Sequence, residues 1–191
     1  MALAVVTGAS SGIGAATAKL LAEHNFQVIA AARRIEKLND LAKSNSNIQA
    51  AQLDVTDQNS VDNFVKTIAN RPVALLVNNA GGAFDVASIE NTDPAIWQKT
   101  YDVNVLGTLR VTKGLLPNLR ANGKSHIVVV TSTAGHAVYE NGGSYTSAKY
   151  AELALTQTLR LELNGEPIRI TEIAPGMVKT EEFSAVRLGS K

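Results

Sequence analysis

Tyr145-Thr146-Ser147-Ala148-Lys149 places a phenol and an amine at positions i and i+4. On a helix, residues at that spacing share one face. A free tyrosine ionises near pH 10 and is a poor base at neutrality. A neighbouring ammonium favours the phenolate and draws it towards the working range. Tyr145 can then pass a proton to or from an oxygen while a hydride moves to or from carbon. Ser132 follows an apolar run upstream, and its hydroxyl can hydrogen-bond the same oxygen. A Tyr–Lys pair at this spacing is common by chance, and alone it reads as a surface contact. What gives it weight is the glycine loop near the start of the chain.

That loop is Gly8-Ala9-Ser10-Ser11-Gly12-Ile13-Gly14, between an apolar run and a helical pattern. Gly8 lets the chain turn sharply, Gly12 leaves room for a ligand, and Gly14 permits close helix-to-sheet contact. Backbone N–H groups from Ser10, Ser11, Gly12 and Ile13 onward would face a pyrophosphate at the helix N-terminus. The spacing is G-x-x-x-G-x-G, and a plain turn is the other reading; the strand–loop–helix context favours a dinucleotide. The second strand runs into Arg33-Arg34, where a cofactor with a free 2′-hydroxyl usually meets an acid. Two guanidiniums suit a 2′-phosphate, so the expected cofactor is NADP rather than NAD. A solvated basic turn is the plainer alternative. Asp54 is a candidate acceptor for the adenine amine, with Val55 offering its backbone N–H. Asp54 reads equally well as a helix-capping acid.

The elements that must position these residues alternate along the chain. Strands are expected at Leu3–Thr7, Gln27–Ala32, Ile48–Leu53, Val73–Asn78, His126–Thr131 and Ile168–Ile173. Their near-continuous hydrophobicity is that of strands buried on both faces of a parallel sheet. Ile35, Leu38 and Leu41 mark one helix face, and Val61, Phe64, Val65 and Ile68 another. Asp93-Pro94 is a helix start, a capping residue followed by Pro at the first helical position. A further helix is expected over about Tyr145–Leu163, with Ala151, Leu155 and Leu159 as its apolar stripe. The pattern is an α/β, doubly wound parallel sheet, a Rossmann fold. No repeat or linker divides it, so residues 1–191 read as one domain.

Composition excludes several functions. The 191 residues carry 18 Lys and Arg against 17 Asp and Glu, and a net charge of +1 gives no drive towards nucleic acid. There are no cysteines, hence no disulfide, thiolate metal site or cysteine nucleophile. His24, His126 and His136 do not have the spacing of a zinc site, and no metal is expected. No run approaches the ~18 apolar residues of a membrane span. The N-terminal apolar run is too short for a signal peptide and has no basic start. A soluble, cytoplasmic protein is expected.

Taken in order, several motifs resemble those of the short-chain dehydrogenase/reductase family. They are Thr7-Gly8-x-x-x-Gly12-Ile13-Gly14, Asn78-Asn79-Ala80-Gly81, Asn104, Ser132, Tyr145-x-x-x-Lys149 and Pro175-Gly176-Met177-Val178-x-Thr180, and they cover nearly the whole chain. The resemblance implies a catalytic tetrad of Asn104, Ser132, Tyr145 and Lys149. It implies that Lys149 also holds the nicotinamide ribose, and that Asn104 joins a helix carbonyl and an ordered water to Lys149. Asn79, Ala80 and Gly81 are then expected along the cofactor, Pro175, Gly176 and Val178 beside the nicotinamide, and Thr180 near its carboxamide. Strand order 3-2-1-4-5-6 and a homo-oligomer, dimer or tetramer, are implied as well. Two plainer readings stand beside these: Asn104 satisfying a buried carbonyl, and Pro175-Gly176 as a strand-ending turn. His136, Tyr139 and Glu140 fall in a segment expected to overhang the substrate, or to be a solvated loop. His24 and His126 read as structural, and Trp97 as packing.

Complete members of that family continue through a substrate lid, a further helix, a seventh strand and a last helix. The resemblance therefore implies a domain incomplete at its C-terminus, with the sixth strand as an apolar sheet edge. Thr180-Glu181-Glu182-Phe183-Ser184-x-Val186-Arg187 resembles the lid start of NADP-dependent 3-hydroxy acid dehydrogenases. Arg187 is a candidate partner for a substrate carboxylate, a solvated arginine being the plainer reading. The implied function is NADP-dependent hydride transfer to or from a small alcohol or carbonyl, such as a 3-hydroxy acid. A 3-oxoacyl or broad-range ketone reductase is the near alternative. A non-catalytic NADP-binding sensor or assembly protein is the alternative of another class, and it would be expected to lack Tyr145 or Lys149.

Overall fold

β1 (Leu3–Thr7) is buried at every residue, because it runs down the middle of a parallel sheet. It pairs with β2 (Gln27–Ala32) on one side and β4 (Leu75–Asn78) on the other. β3 (Ile48–Gln52) extends the sheet beyond β2, and β5 (Ser125–Val130) and β6 (Ile168–Ile173) extend it beyond β4. The order is β3-β2-β1-β4-β5-β6, all parallel, the arrangement the resemblance implied. The structure is a computed structural model and describes residues 1–180; the lid-start residues Glu181–Arg187 lie outside them.

Helices cover both faces. α1 (Gly12–Glu23) and α2 (Ile35–Lys43) bring Ala18, Ala22, Leu38 and Leu41 against Ala4, Val6, Val28 and Ala30. On the other face lie α3 (Gln58–Ile68), α5 (Gly107–Ala121) and α6 (Gly143–Glu162). They pack Phe64, Ile68, Leu115, Leu119 and Leu159 against Val5, Ile29, Leu76 and Ile127. Each fully buried aliphatic or aromatic side chain contributes about 1.5–3 kcal/mol by leaving water. α4 (Pro94–Tyr101) starts where expected, with the Asp93 carboxylate accepting from the backbone N–H of Ala95. No helix among the described residues is long and apolar enough to cross a membrane.

Three expectations need correction. The edge strands are not buried on both faces: β3 is exposed at Gln49 and Gln52, and β6 at Arg169 and Ile173. β6 also carries Thr171 and Glu172, so the edge is amphipathic rather than apolar. β4 begins at Leu75 instead of Val73, because the N–H of Val73 is taken by the carbonyl of Asn118 at the end of α5. The buried stripe of α6 is not Ala151, Leu155 and Leu159 alone; it runs through Tyr145, Lys149, Glu152, Thr156 and Leu159. Polar side chains that pair with one another take the place of the apolar ones.

Between α4 and α5 the helix loosens into a π-helical turn, Asp102–Leu106. Arg110 spans it, donating to the Asp102 carboxylate at 2.8 Å and to the carbonyl of Val55 at 3.1 Å. Asn104 sits in this turn.

Candidate active site

The glycine loop follows β1 and opens α1, with Gly8 at φ +66° and Gly12 at φ +54°. A side chain at Gly8 would meet the Ala80 backbone at 2.8 Å, and one at Gly14 would meet the Gly8 carbonyl at 2.5 Å. Asn79 and Ala80 therefore lie directly beside the loop. Thr7, which was not among the expected site residues, ties them there. Its hydroxyl accepts from the N–H groups of Asn79 and Ala80, both at 3.0 Å, while the Asn79 amide donates to the Thr7 carbonyl at 3.0 Å. Two strand ends are thus locked into one cradle at the carboxyl edge of the sheet, where open α/β sheets bind ligands.

A groove of about 890 Å³ begins at this loop and runs between α1, at Ala16, Lys19 and Leu20, and α2, at Leu41 and Ser44; Gly8, Asn79, Ala80 and Tyr145 do not line it. Ser10, Ser11, Gly12 and Ile13 line one part of it together with Val178, Lys179 and Thr180, and the Thr180 methyl is 3.3 Å from where a Gly12 side chain would start. Lys37 and Asp40 of α2 line its other end. Arg34 joins it by donating to the hydroxyls of Ser10 at 2.8 Å and Ser11 at 3.1 Å. A side-chain-free cradle with a guanidinium at its rim fits a dinucleotide.

Asp54 is not the cap of α3; that role belongs to Asp57, whose carboxylate accepts from the N–H of Asn59 at 2.9 Å. The Asp54 carboxylate instead accepts from the N–H and hydroxyl of Thr56, at 3.0 and 2.7 Å. Burial works to raise this carboxyl, but the Thr56 bonds and the charge of Arg33 outweigh it and hold it below the usual range. The Val55 side chain points inward and packs against Gly107.

Tyr145 and Lys149 lie on one face of α6, and the turn that Ser132 caps packs against them through Ala134. Tyr145 and Lys149 are 8% and 4% exposed, and the Lys149 ammonium lies 5.7 Å from the centre of the Tyr145 ring. Ser132 caps the short 3-10 turn Thr133–Gly135 after β5, accepting from the N–H of Ala134 at 3.1 Å. Ala134 and Ala83 pack on the Tyr145 ring, and a side chain at Gly135 would strike the Lys149 carbonyl at 2.8 Å. The serine turn is seated on α6 by that close approach. The N–H of Thr133 donates to the carbonyl of Pro175, which links this turn to the Pro175-Gly176 segment.

The Asn104 amide donates to the carbonyls of Thr100 at 2.7 Å and Gly82 at 2.8 Å. Its Oδ1 accepts from the N–H of Gly82 at 3.2 Å, so it fastens the loop after β4 to the π turn. Oδ1 of Asn104 and Nζ of Lys149 flank Gly81, at 2.6 and 3.5 Å from where a side chain there would begin.

Several polar residues of the site carried no sequence signal beyond lying near a motif. Ser144, just before Tyr145, donates to the Asp85 carboxylate. Asp85 also accepts from the Thr92 hydroxyl at 2.8 Å, which in turn accepts from the Trp97 indole at 2.9 Å. Trp97 is thus packing and anchor together. Glu152 sits beside Lys149 within α6. Tyr139 and Glu140 line a groove with Ile89, Trp97 and Tyr150. His136 points to Glu172 of β6, at 2.9 Å. His126 faces Thr171 at 2.7 Å; burial, with the charge of Arg169, lowers its imidazole below the usual value. Arg187 lies outside the described residues. Among those residues no group of three His, Asp or Glu converges as metal ligands.

Comparison with known proteins agrees with this geometry. The family model described as short chain dehydrogenase matches residues 2–190. An uncharacterized oxidoreductase of Mycobacterium tuberculosis is 50% identical over 185 residues, covering 97% of this chain and 72% of that protein. The NADP-dependent 3-hydroxy acid dehydrogenase of Salmonella typhimurium is 33% identical over 188 residues, covering 97% of this chain and 76% of its own length. Among solved structures, the closed form of serine dehydrogenase complexed with NADP+ superposes with a TM-score of 0.91 at 32% identity, covering 98% of this chain and 77% of that one. With the parallel sheet, the glycine cradle and the Ser–Tyr–Lys cluster in the family's order, the chain belongs to the short-chain dehydrogenase family of oxidoreductases, which use a nicotinamide cofactor.

Proposed function

We propose that the protein is an NADP-dependent oxidoreductase of small alcohols and carbonyls, with 3-hydroxy acids and their 3-oxo counterparts as the substrate class. The observation that carries this is the cluster of Tyr145, Lys149 and the Ser132 turn beside the glycine cradle. NADPH, when bound, supplies the hydride that reaches the carbonyl carbon. The Tyr145 hydroxyl gives its proton to the oxygen that becomes the alcohol, and the Ser132 hydroxyl donates a hydrogen bond to the same oxygen. The Lys149 ammonium stabilises the phenolate that remains. Asn104 acts by holding the Gly82 loop.

NADP is preferred over NAD because Arg34 reaches the loop hydroxyls and Arg33 stands next to it at the end of β2. Gly8 to Gly14, Asn79 to Gly81, and Val178 with Thr180 form the cofactor's bed. Asp54 and Val55 lie at its adenine end, and Pro175 and Gly176 at its nicotinamide end. Residues 1–191 act as one cofactor-binding domain, in a homo-oligomer. The substrate class rests on the likeness to relatives named for 3-hydroxy acids and serine. The deciding test follows NADPH and NADH consumption with small 3-oxo acids and aldehydes. Turnover with NADPH supports the proposal; NADP binding without turnover of any carbonyl overturns the enzyme in favour of a nucleotide sensor.

A further inference from the structure

Glu152 is 1% exposed and lies outside the family's catalytic motifs. Helix α6 sets Tyr145, Lys149 and Glu152 at i, i+4 and i+7, one stripe of one face. The Lys149 ammonium donates to Glu152 Oε2 at 2.6 Å and to the Val130 carbonyl of β5 at 3.2 Å. The other oxygen, Oε1, accepts from the Thr108 hydroxyl at 3.0 Å, one helical turn beyond Asn104. Both carboxylate oxygens are therefore engaged inside the protein. The groups facing Glu152 are Lys149 from its own helix, uncharged Thr108 from α5, and the like charge of Glu172 from β6, itself tied to His136 and Thr131.

Such a pair is costly to bury, and an aliphatic residue would pack the same space at less expense. A polar pair kept where packing alone would favour hydrocarbon marks a site under functional constraint. We propose that Glu152 is a positioning residue, holding Lys149 charged and fixed against β5 and thereby governing proton transfer at Tyr145. This rests on the role given to Tyr145 and Lys149 above. Without the carboxylate, a buried ammonium favours the neutral amine, and a neutral amine no longer favours the phenolate. Burial also raises the Glu152 carboxyl against the opposing pull of Lys149 and Thr108, so the pair depends on those bonds being kept.

Glu152→Gln is the test, since it keeps the shape and can still accept from Thr108. The first readout needs no turnover: phenolate absorbance of the cofactor-free protein is titrated with pH, and the curve of the Tyr145→Phe protein in the same background is subtracted. The Tyr145 phenolate is expected to appear about one pH unit higher in Glu152→Gln than in the parent protein. The second is the pH profile of alcohol oxidation, whose acid limb moves upward with it, while kcat near neutrality falls about tenfold, the equivalent of that unit. Glu152→Asp, which keeps the charge, restores much of the parental profile. Superimposable titrations and pH profiles, with only thermal stability reduced, overturn the proposal. If the parent protein turns over no carbonyl or alcohol, the oxidoreductase reading fails, and the absorbance titration still decides on Glu152. If Glu152→Gln does not fold, Thr108→Ala strips a bond from the carboxylate; a smaller shift in the same direction supports the role, and none overturns it.

Discussion

Arg34 donates to the hydroxyl of Ser10 at 2.8 Å, so the end of β2 and the loop after β1 present one polar rim. Replacing Arg33 and Arg34 together by Ala is expected to weaken NADP far more than NAD. Each charge-assisted bond to a 2′-phosphate contributes roughly 1.5–3 kcal/mol, so losing one from each arginine lowers NADP affinity roughly a hundredfold or more. Calorimetric titration with both cofactors measures this, and equal losses would remove the phosphate assignment.

Tyr145→Phe keeps the ring packed between Ala83 and Ala134 and removes only the hydroxyl. Turnover should drop by about 10²–10⁴, the usual share of a general acid or base. NADP affinity should stay within about twofold, since the ring and Lys149 remain. Stopped-flow hydride transfer and equilibrium binding separate the two, and full activity in the variant takes the proton step away from Tyr145.

Ala69, after α3, adopts φ 52° and ψ −135°, a region that side chains avoid. Asn118 holds it there, donating to the carbonyls of Ala69 at 2.7 Å and Arg71 at 2.9 Å. Ala69→Gly should stabilise the protein by about 1 kcal/mol through relief of strain. Asn118→Leu should destabilise it by about 2–3 kcal/mol, leaving two carbonyls unpaired. Urea unfolding gives both values, and a destabilised Ala69→Gly would show that no strain is stored there.

Glu172 links β6 to β5 through the Thr131 hydroxyl at 2.6 Å and to His136 at 2.9 Å. Burial works to raise its carboxyl, but the bonds from Thr131 and His136, with the charges of His136 and Arg160, leave it below its ordinary value of 4.5. The unfolded chain therefore takes up this proton first as pH falls. The stabilisation is complete above the unfolded value and is lost as pH drops through the folded one. Glu172→Gln should lower the melting temperature near neutrality by roughly 2–4 °C and flatten its decline in acid. Parallel acid slopes in the two proteins would assign the decline to other groups.

The strands were legible because short apolar runs separated by helical patterns read as a parallel sheet, while their order followed only from the resemblance carried by the motifs. The cradle was legible because Gly8, Gly12 and Gly14 have backbone duties that only glycine performs well. What stayed hidden was polar and tertiary. Glu152 and Thr156 hold core positions, but their types read as surface; bonds from Lys149 and from Thr108 of α5 satisfy the Glu152 carboxylate there, and the Thr156 hydroxyl donates to the Glu152 carbonyl. Asp57 and Asp54 are both plausible caps in sequence; the turn that Thr56 closes on Asp54 decides between them. The substitution of polar for apolar at the sheet edges likewise depends on which strands have neighbours on both sides.

The π-helical turn at Asp102–Leu106 makes the site more vulnerable to changes in chain length than to changes of residue. Such a turn holds one residue more than a regular helix needs. Deleting that residue would let α4 and α5 join as one continuous helix, with its backbone bonds intact. It would also turn everything on the α4 side by about 100° about the axis relative to α5. Asn104 would swing off Gly82, and α4 would lose its register against α6, although every motif residue was still present. A single-codon loss here is therefore a lesion that a search for motif residues would pass over, and a family tree of this fold should keep the length of this segment more strictly than its composition.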